Sequence, residues 1–344
     1  MQTLHTLLPR IWLSRGVLAW MLWPVSLVYG ALVFLRRWAF QTGWLASGHP
    51  PAVVVVVGNV VVGGAGKTPM TIALVRHLHA IGLKAGVVSR GHGRNGNDIR
   101  QVVPGSVAGE VGDEPLLIQR HTGAPVWVGA SRLATARQLL QSHPDIQVIV
   151  CDDGLQHLAL QRDLEICLMD DRGTGNGWLL PAGPLREPWP RPVDLLLNTH
   201  GQACRDGFVA QRRLMPEAVN AAGERRSLTE LAAQSVSAVA GLARPQAFFD
   251  MLRAQGLTLA QTVALPDHHD FADWDKNALP APLLCTEKDA VKLWVHQPDA
   301  WAVPMTLAPE PAFWQALEEK LRQLGLDVPA STRPVSSVHG QQTA

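Results

Sequence analysis

Two periodicities organise the chain. Short runs of consecutive apolar, largely β-branched residues fall at 52–57, 85–89, 126–128, 146–151, 164–169 and 193–197. They alternate with stretches whose apolar positions repeat every three or four residues, a pattern that predicts a doubly wound, mostly parallel sheet flanked by helices. The run Ala52–Val57 leads through a glycine-rich turn into a helical pattern from Met70 to Ile81. Around Arg205–Arg226 the period fades. A second alternation starts at Val236, with a helix expected over Gln246–Gln255, a strand over Ala260–Leu265 and another at Leu283–Cys285. These patterns predict an apolar segment over 1–46, a first α/β lobe over 47–230, a smaller α/β lobe over 231–328, and a polar, aperiodic, disordered tail over 329–344.

The first segment breaks both patterns. Gly16–Leu35 holds twenty residues without a charge, between Arg10 and Arg15 on one side and Arg36 and Arg37 on the other. Twenty apolar residues are enough to cross a bilayer, but the basic flanks are balanced and give no orientation. Pro24 would kink a helix near its middle, and Trp12, Trp20, Trp23, Trp38 and Trp44 scatter in and around the stretch as rings do at a headgroup boundary. A signal peptide fits less well, because the stretch is over-long and lacks a small-residue cleavage site. Membrane association from the cytoplasmic side, peripheral or monotopic, is expected over a full span; a helical hairpin packed on its own domain is the alternative.

Charge sharpens this reading. The net charge of +1 hides an asymmetry: residues 1–97 carry nine Lys or Arg and no carboxylate, while 21 basic and 29 acidic residues follow. An acid-free N-terminal part points to anionic partners, phosphate or membrane. With 47% apolar and 17% charged residues over 344 positions, long-range disorder and a miniature disulfide scaffold are both excluded. Cys151, Cys167, Cys204 and Cys285 spell no zinc or redox pair, which suits a reducing compartment.

The strongest local signal is GNVVVGGAGKTP at 58–69, placed between a strand and a helix. This is the order a P-loop requires: glycines let backbone N–H groups turn onto phosphate oxygens, Lys67 reaches the β- and γ-phosphates, and Thr68 can ligate magnesium. The nucleotide cradle is therefore expected from Val61, Val62, Gly63, Gly64, Ala65, Gly66, Lys67 and Thr68, with Val61 standing where the general motif has glycine. Strand 146–151 ends in Asp152-Asp153-Gly154, and either aspartate could serve magnesium as a Walker B carboxylate. Thr286-Glu287-Lys288-Asp289 lacks the spacing of a guanine-reading N/T-K-x-D, so adenine is preferred. Arg90, His92 and Arg94 follow the run at 85–89 and should emerge beside the P-loop, whereas Lys288 and Lys292, four apart, share one helix face.

Taken together, the motifs resemble the tetraacyldisaccharide 4'-kinases, the lipid A 4'-kinases of Gram-negative bacteria. The pieces are GNVVVGGAGKTP (58–69), SRGHGR (89–94), VGDEP (111–115), DDGLQH (152–157) with RDLEI (162–166), LLPAGPLREP (179–188), GLARPQAFF (241–249), PDHHDF (266–271) and TEKDAVK (286–292), in family order. The resemblance implies a P-loop NTPase-like fold and ATP- and Mg2+-dependent phosphorylation of the 4'-hydroxyl of a tetraacylated glucosamine disaccharide 1-phosphate. It further implies action at the cytoplasmic face of the inner membrane, with an anionic membrane surface and a lipid as partners and no nucleic acid. It assigns Asp113 as base or orienting carboxylate with His268 or His269 behind it, and puts Arg186 and Glu187 at the border of the donor and acceptor sites. Gln156 and His157, which follow the Walker B turn, could position nucleotide or metal or simply make loop hydrogen bonds. Two rivals stand beside the resemblance: a membrane-anchored P-loop switch or metallochaperone, and a reading of Asp267-His268-His269-Asp270 as metal ligands.

Overall fold

The computed structural model describes residues 11–199, 207–267, 269–275, 279–280 and 282–329. His268, Cys204 and positions 330–344 of the expected tail lie outside the described residues. Among the described residues the strands form two sheets, of nine and six strands.

The first sheet grows from the β-branched runs. Strands β1 (Val53–Asn59), β2 (Ala85–Ser89), β3 (Arg100–Val102), β4 (Val126–Val128), β5 (Val148–Asp152), β6 (Leu164–Met169), β7 (Leu195–Asn198), β8 (Phe208–Leu214) and β15 (Met305–Pro309) lie in the order β15-β8-β7-β6-β1-β5-β2-β4-β3. Every neighbour pair is parallel except the two edge pairs, β8 with β15 and β3 with β4. Helices α2 (Lys67–Ala80), α4 (Asp113–Thr122) and α5 (Arg132–Ser142) cover it, with the four-residue α3 (Ala108–Val111) ahead of α4. Val55, Val57, Val148, Val150 and Ile166 pack with Met70, Leu74 and Leu78 of α2 on one face. Val54, Val56, Ile149 and Cys151 point to the other, the two-residue alternation of a strand buried on both sides.

The second sheet contains β9 (Glu217–Val219), β10 (Arg225–Ser227), β11 (Ser235–Ala240), β12 (Thr258–Ala264), β13 (Leu283–Thr286) and β14 (Trp301–Val303), in the order β10-β9-β14-β13-β11-β12. Helices α6 (Leu228–Ala232), α7 (Pro245–Ala254) and α8 (Glu287–Leu293) accompany it. The chain passes between the sheets twice, from β8 to β9 and from β14 to β15, so the β8–β15 ribbon joins them. It closes with α9 (Pro311–Gln323), whose Phe313, Leu317 and Leu321 complete the core of the first sheet. The stretch 205–226, without clear period in the sequence, thus holds β8, β9 and part of β10. β9 and β10 are three residues long, and β8, though seven long, buries only Ala210 and Leu214.

Helix α1 (Val17–Gln41) contains Pro24 and buries only Ala19 and Ser26. One face is fastened to the segment 176–187. Ser26 donates from Oγ to the Leu179 carbonyl (2.8 Å) and accepts from the Ala182 amide (2.9 Å). Tyr29 Oη donates to the Arg186 carbonyl at 2.8 Å. Gly30 lies so near Leu179 that a Cβ there would stand 2.9 Å from Leu179 Cδ1. The rest of the helix exposes Val17, Leu18, Met21, Val25, Val28, Leu32 and Leu35.

Candidate active site

The phosphate loop is a set of backbone constraints before it is a binding site. Asn59 ends β1 and donates from Nδ2 to the Gly63 carbonyl (3.3 Å). The Val62 amide donates to the Pro184 carbonyl (2.9 Å), and the Arg186 amide donates to that of Val60 (2.8 Å). Arg172 Nη1 donates to the Val62 carbonyl (3.0 Å), and Thr199 Oγ1 to that of Ala65 (3.1 Å). Gly66 precedes α2 at φ +89°, a left-handed conformation that glycine enters without strain. The loop is thereby held open at the N-terminus of α2, where unpaired amides and the helix dipole favour phosphate.

Lys67 begins α2 and turns back over the loop. Its Nζ lies 3.4 Å from Asn59 Oδ1 and 3.7 Å from Asp153 Oδ2. Asp153 sits at φ +48° just past β5, and both its oxygens face Arg186 Nη1, at 3.2 and 3.3 Å. Burial raises the Asp153 carboxyl, but Lys67 and Arg186 outweigh it and hold the group below the usual carboxylate range. Asp152, one residue earlier, is buried and accepts from Thr71 Oγ1 at 2.9 Å. Burial, followed by the charges of Glu114 and Asp153, pushes its pKa up to about 7. Adjacent carboxylates are thus driven in opposite directions, as in sites that divide proton and cation roles between two acids.

Thr68, Asp152 and Asp153 together present only oxygen donors, the set a hard divalent cation takes. A buried carboxyl whose ionisation is opposed by neighbouring acids is the environment that such a cation relieves, so these residues fit magnesium.

Gln156 and Glu187 lock the same corner. Gln156 Nε2 donates to Glu187 Oε1 (2.7 Å) and to the Asn59 carbonyl (3.1 Å), while its Oε1 accepts from Arg186 Nη1 (3.4 Å). Glu187 Oε2 also faces Arg37 Nη1 of α1 (3.4 Å) and Arg191 Nε (3.0 Å). His157 accepts the Arg132 amide at Nε2 (3.2 Å), and burial, then the Arg132 charge, lowers its pKa to about 4. It is a neutral loop fastener at physiological pH.

Asp113 opens α4 from a buried position. Gly112, at φ +91°, occupies the cap, so Asp113 stands at the first position inside the helix. Its Oδ2 lies 2.7 Å from Lys292 Nζ on α8. The same ammonium donates to the His269 carbonyl (3.4 Å), which brings the PDHHDF turn to the start of α4. Lys288, one turn earlier, lies 3.0 Å from Asp267 Oδ1 and 3.6 Å from Glu114 Oε1. The imidazole of His269 accepts the Phe271 amide at Nδ1 (3.0 Å) and packs edge-on against that ring. Asp289 accepts from the Gly241 amide (3.0 Å) and from Thr286 Oγ1 (2.6 Å), so TEKD ties two loops of the second sheet together.

Among the SRGHGR residues, Arg90 and His92 are exposed, and Arg94 folds onto its own loop through the Asp98 carbonyl. Thr71, on α2, and Arg172 and Thr199, which follow strands, carry no recognisable motif signal, and Asn59 enters only as part of the glycine-rich motif. Glu114 stands inside the VGDEP motif, where the neighbouring aspartate drew attention from it.

Comparison with known proteins decides what this arrangement belongs to. The family profile described as tetraacyldisaccharide-1-P 4'-kinase matches residues 18–322. The chain belongs to the tetraacyldisaccharide 4'-kinase family. The tetraacyldisaccharide 4'-kinase of Polaromonas naphthalenivorans is 54% identical over 344 residues, 97% of this chain and 98% of the relative. That of an Acidovorax species is 54% identical over 320 residues, covering 91% and 94%. A crystal structure described as the "apo" form of LpxK from Aquifex aeolicus in complex with ATP superposes with a TM-score of 0.76 at 27% identity, over 90% of this chain and 99% of the other. The resemblance carried by the motifs is therefore borne out, and so is the α/β class with its apolar N-terminal helix. As a member of the family the protein is a kinase of lipid A assembly, with ATP as its co-substrate.

Proposed function

We propose that this kinase moves the terminal phosphoryl group of ATP onto the 4'-hydroxyl of a tetraacylated disaccharide 1-phosphate at the cytoplasmic face of the inner membrane, and that Asp113 takes the proton of the attacking hydroxyl. One observation carries the reading. The apolar helix α1 and the phosphate loop form one continuous assembly, running from Tyr29 and Arg37 through Arg186 and Glu187 to Asp153 and Lys67. A lipid whose acyl chains lie along the exposed side of α1 would present its headgroup beside the donor phosphates.

Phosphoryl transfer depends mainly on position and charge neutralisation. Lys67 supplies positive charge at the β- and γ-phosphates, and Arg186 adds a second cation on the acceptor side of Asp153. Glu187 acts by anchoring Gln156 and Arg37, which hold the corner where α1 meets the loop. Thr68, Asp152 and Asp153 would hold magnesium, which when bound neutralises donor phosphate oxygens. As the 4'-oxygen bonds to phosphorus and the bond to ADP breaks, the hydroxyl proton passes to the Asp113 carboxylate. Lys292, whose ammonium also reaches the His269 carbonyl of the PDHHDF turn, holds that carboxylate in place. Membrane attachment follows from the unfastened faces of α1, whose Val17, Trp20, Met21, Leu32 and Phe34 would enter the interfacial layer while the other face stays on the protein.

The test is transfer of label from γ-labelled ATP to the disaccharide 1-phosphate in mixed micelles. Product formed by the intact protein and lost in Lys67→Ala supports the reading. Lipid-independent phosphate release without labelled lipid would instead favour the switch or metallochaperone.

A further inference from the structure

The site as described leaves out a cationic group on the far side of the phosphate loop. Arg212 lies on β8, on the same strand face as Ala210, which is buried in the core shared with α2. A side chain at Gly66 would meet Arg212 Nε at 3.6 Å and Nη2 at 3.7 Å, so the guanidinium stands against the glycine from which α2 starts. Nη2 donates to Thr199 Oγ1 (2.9 Å), and that hydroxyl donates to the Ala65 carbonyl (3.1 Å).

The charges around it do not balance. Asp170 is gripped by Arg172 through Nε (3.0 and 3.1 Å) and Nη2 (2.7 Å). Asp171 is taken by Arg244 of the second lobe, with Nη2 at 2.8 Å. Among the described residues, three guanidinium groups therefore meet two carboxylates, and Arg212 makes no ion pair with either. Its Nε is buried without a hydrogen-bond partner among them. Burial lowers its pKa, with Asp170 only partly opposing, as expected of a cation short of an anion. A desolvated guanidinium directed at a phosphate-binding turn is matched by a phosphate, which accepts its fork of donors.

We propose that Arg212 is a ligand of the donor nucleotide, binding the α- or β-phosphate of ATP where it enters the loop at Gly66. Lys67, turned toward Asn59 and Asp153, serves the opposite side of the same loop. The inference rests on ATP occupying the loop and is independent of the role given to Asp113.

The test is equilibrium binding of ATP, ADP, AMP and adenosine to the full-length protein and to Arg212→Ala, Arg212→Gln, Arg212→Lys and Arg213→Ala. Arg213 is the control, because it is exposed on the opposite strand face and bonds Gln211. Loss of a charge-assisted bond predicts ATP and ADP binding about ten- to a hundredfold weaker in Arg212→Ala, with Arg212→Lys intermediate. Adenosine binding and the lipid KM should stay unchanged, and Arg213→Ala should match the wild type. Weakened AMP binding would identify the α-phosphate, and unweakened AMP binding the β-phosphate. Unchanged ATP affinity in Arg212→Ala, or an equal loss for adenosine, overturns the proposal. Should the alanine variant fail to fold, Arg212→Gln is judged by the same criteria.

Discussion

The donor side and the acceptor side of the proposed active site are built in different ways. On the donor side, Asn59, Asp152 and Asp153 stand at the ends of neighbouring parallel strands, Lys67 begins the helix that follows, and the loop's restraints all fall on backbone groups. On the acceptor side, Asp113 is held by Lys292 and Glu114 faces Lys288, pairs that join α4 of the first lobe to α8 of the second. His121 with Glu287, at 2.9 Å, adds a third bridge between the same helices. A site assembled within one sheet keeps its geometry whatever the second lobe does. A site assembled by ion pairs between helices of two sheets keeps it only while those sheets stay in register, so in the proposed mechanism acceptor chemistry is the half that relative motion of the two sheets would gate.

Substitutions should separate the two halves. The largest effect is expected from Lys67→Ala, which should lower kcat by about 10³-fold or more by removing charge from the transferring phosphates. Steady-state transfer of labelled phosphate measures it, and a loss below tenfold would contradict the donor-side account. Asp113→Ala should lower kcat by about 10²- to 10⁴-fold while ATP affinity stays within about twofold. An equal loss of ATP binding would place Asp113 on the donor side instead. Lys292→Ala should lower kcat by about tenfold through misplacement of Asp113, with Lys292→Arg restoring much of it. If arginine restores nothing, the lysine does more than position.

The pH prediction concerns the donor half alone. The folded pKa of Asp152 is about 7 against an ordinary carboxyl near 3.8, so the folded protein retains a proton that the unfolded chain gives up over that range. Stability contributed by this group is therefore lost as pH rises from about 4 to about 7. Asp152→Asn should gain stability relative to the wild type across that window, read from urea unfolding at pH 5 and pH 8. Magnesium favours the ionised carboxylate, so its stabilising effect should be larger at pH 8, and chelation should cost more there. A pH-independent difference would mean that Asp152 is ionised throughout. The smallest effect is expected from Tyr29→Phe, which loses one hydrogen bond to the Arg186 carbonyl, worth about 0.5–1.5 kcal/mol. Its signature should be a raised lipid KM with unchanged ATP binding.

The same contrast explains what could be read before the fold was known. Buried parallel strands announce themselves as β-branched runs, and Val53–Val57 followed by glycines and Lys67-Thr68 leaves few alternatives. The partners of Asp113 are less visible. Lys292 lies 179 positions away on another sheet's helix, and charge at helical spacing looks the same whether solvated or paired. The attachment of α1 was hidden for another reason: Leu179 and Arg186 receive it through backbone carbonyls, which carry no sequence signature. Arg212 belongs to a strand of weak alternation, second from the sheet's edge, where nothing in the pattern marks one arginine over its neighbour.

The central claim is that one molecule joins a nucleotide loop to a lipid-facing helix so that phosphate passes between them at a membrane. It is tested most directly by supplying γ-labelled ATP and magnesium to the purified protein with vesicles containing the tetraacylated disaccharide 1-phosphate. Label should appear on the 4'-oxygen of the vesicle lipid, and charged substitutions at Val17, Met21 and Leu32 should suppress that transfer while sparing transfer to micellar substrate. Equal suppression in vesicles and micelles, or label released only as inorganic phosphate, would contradict it.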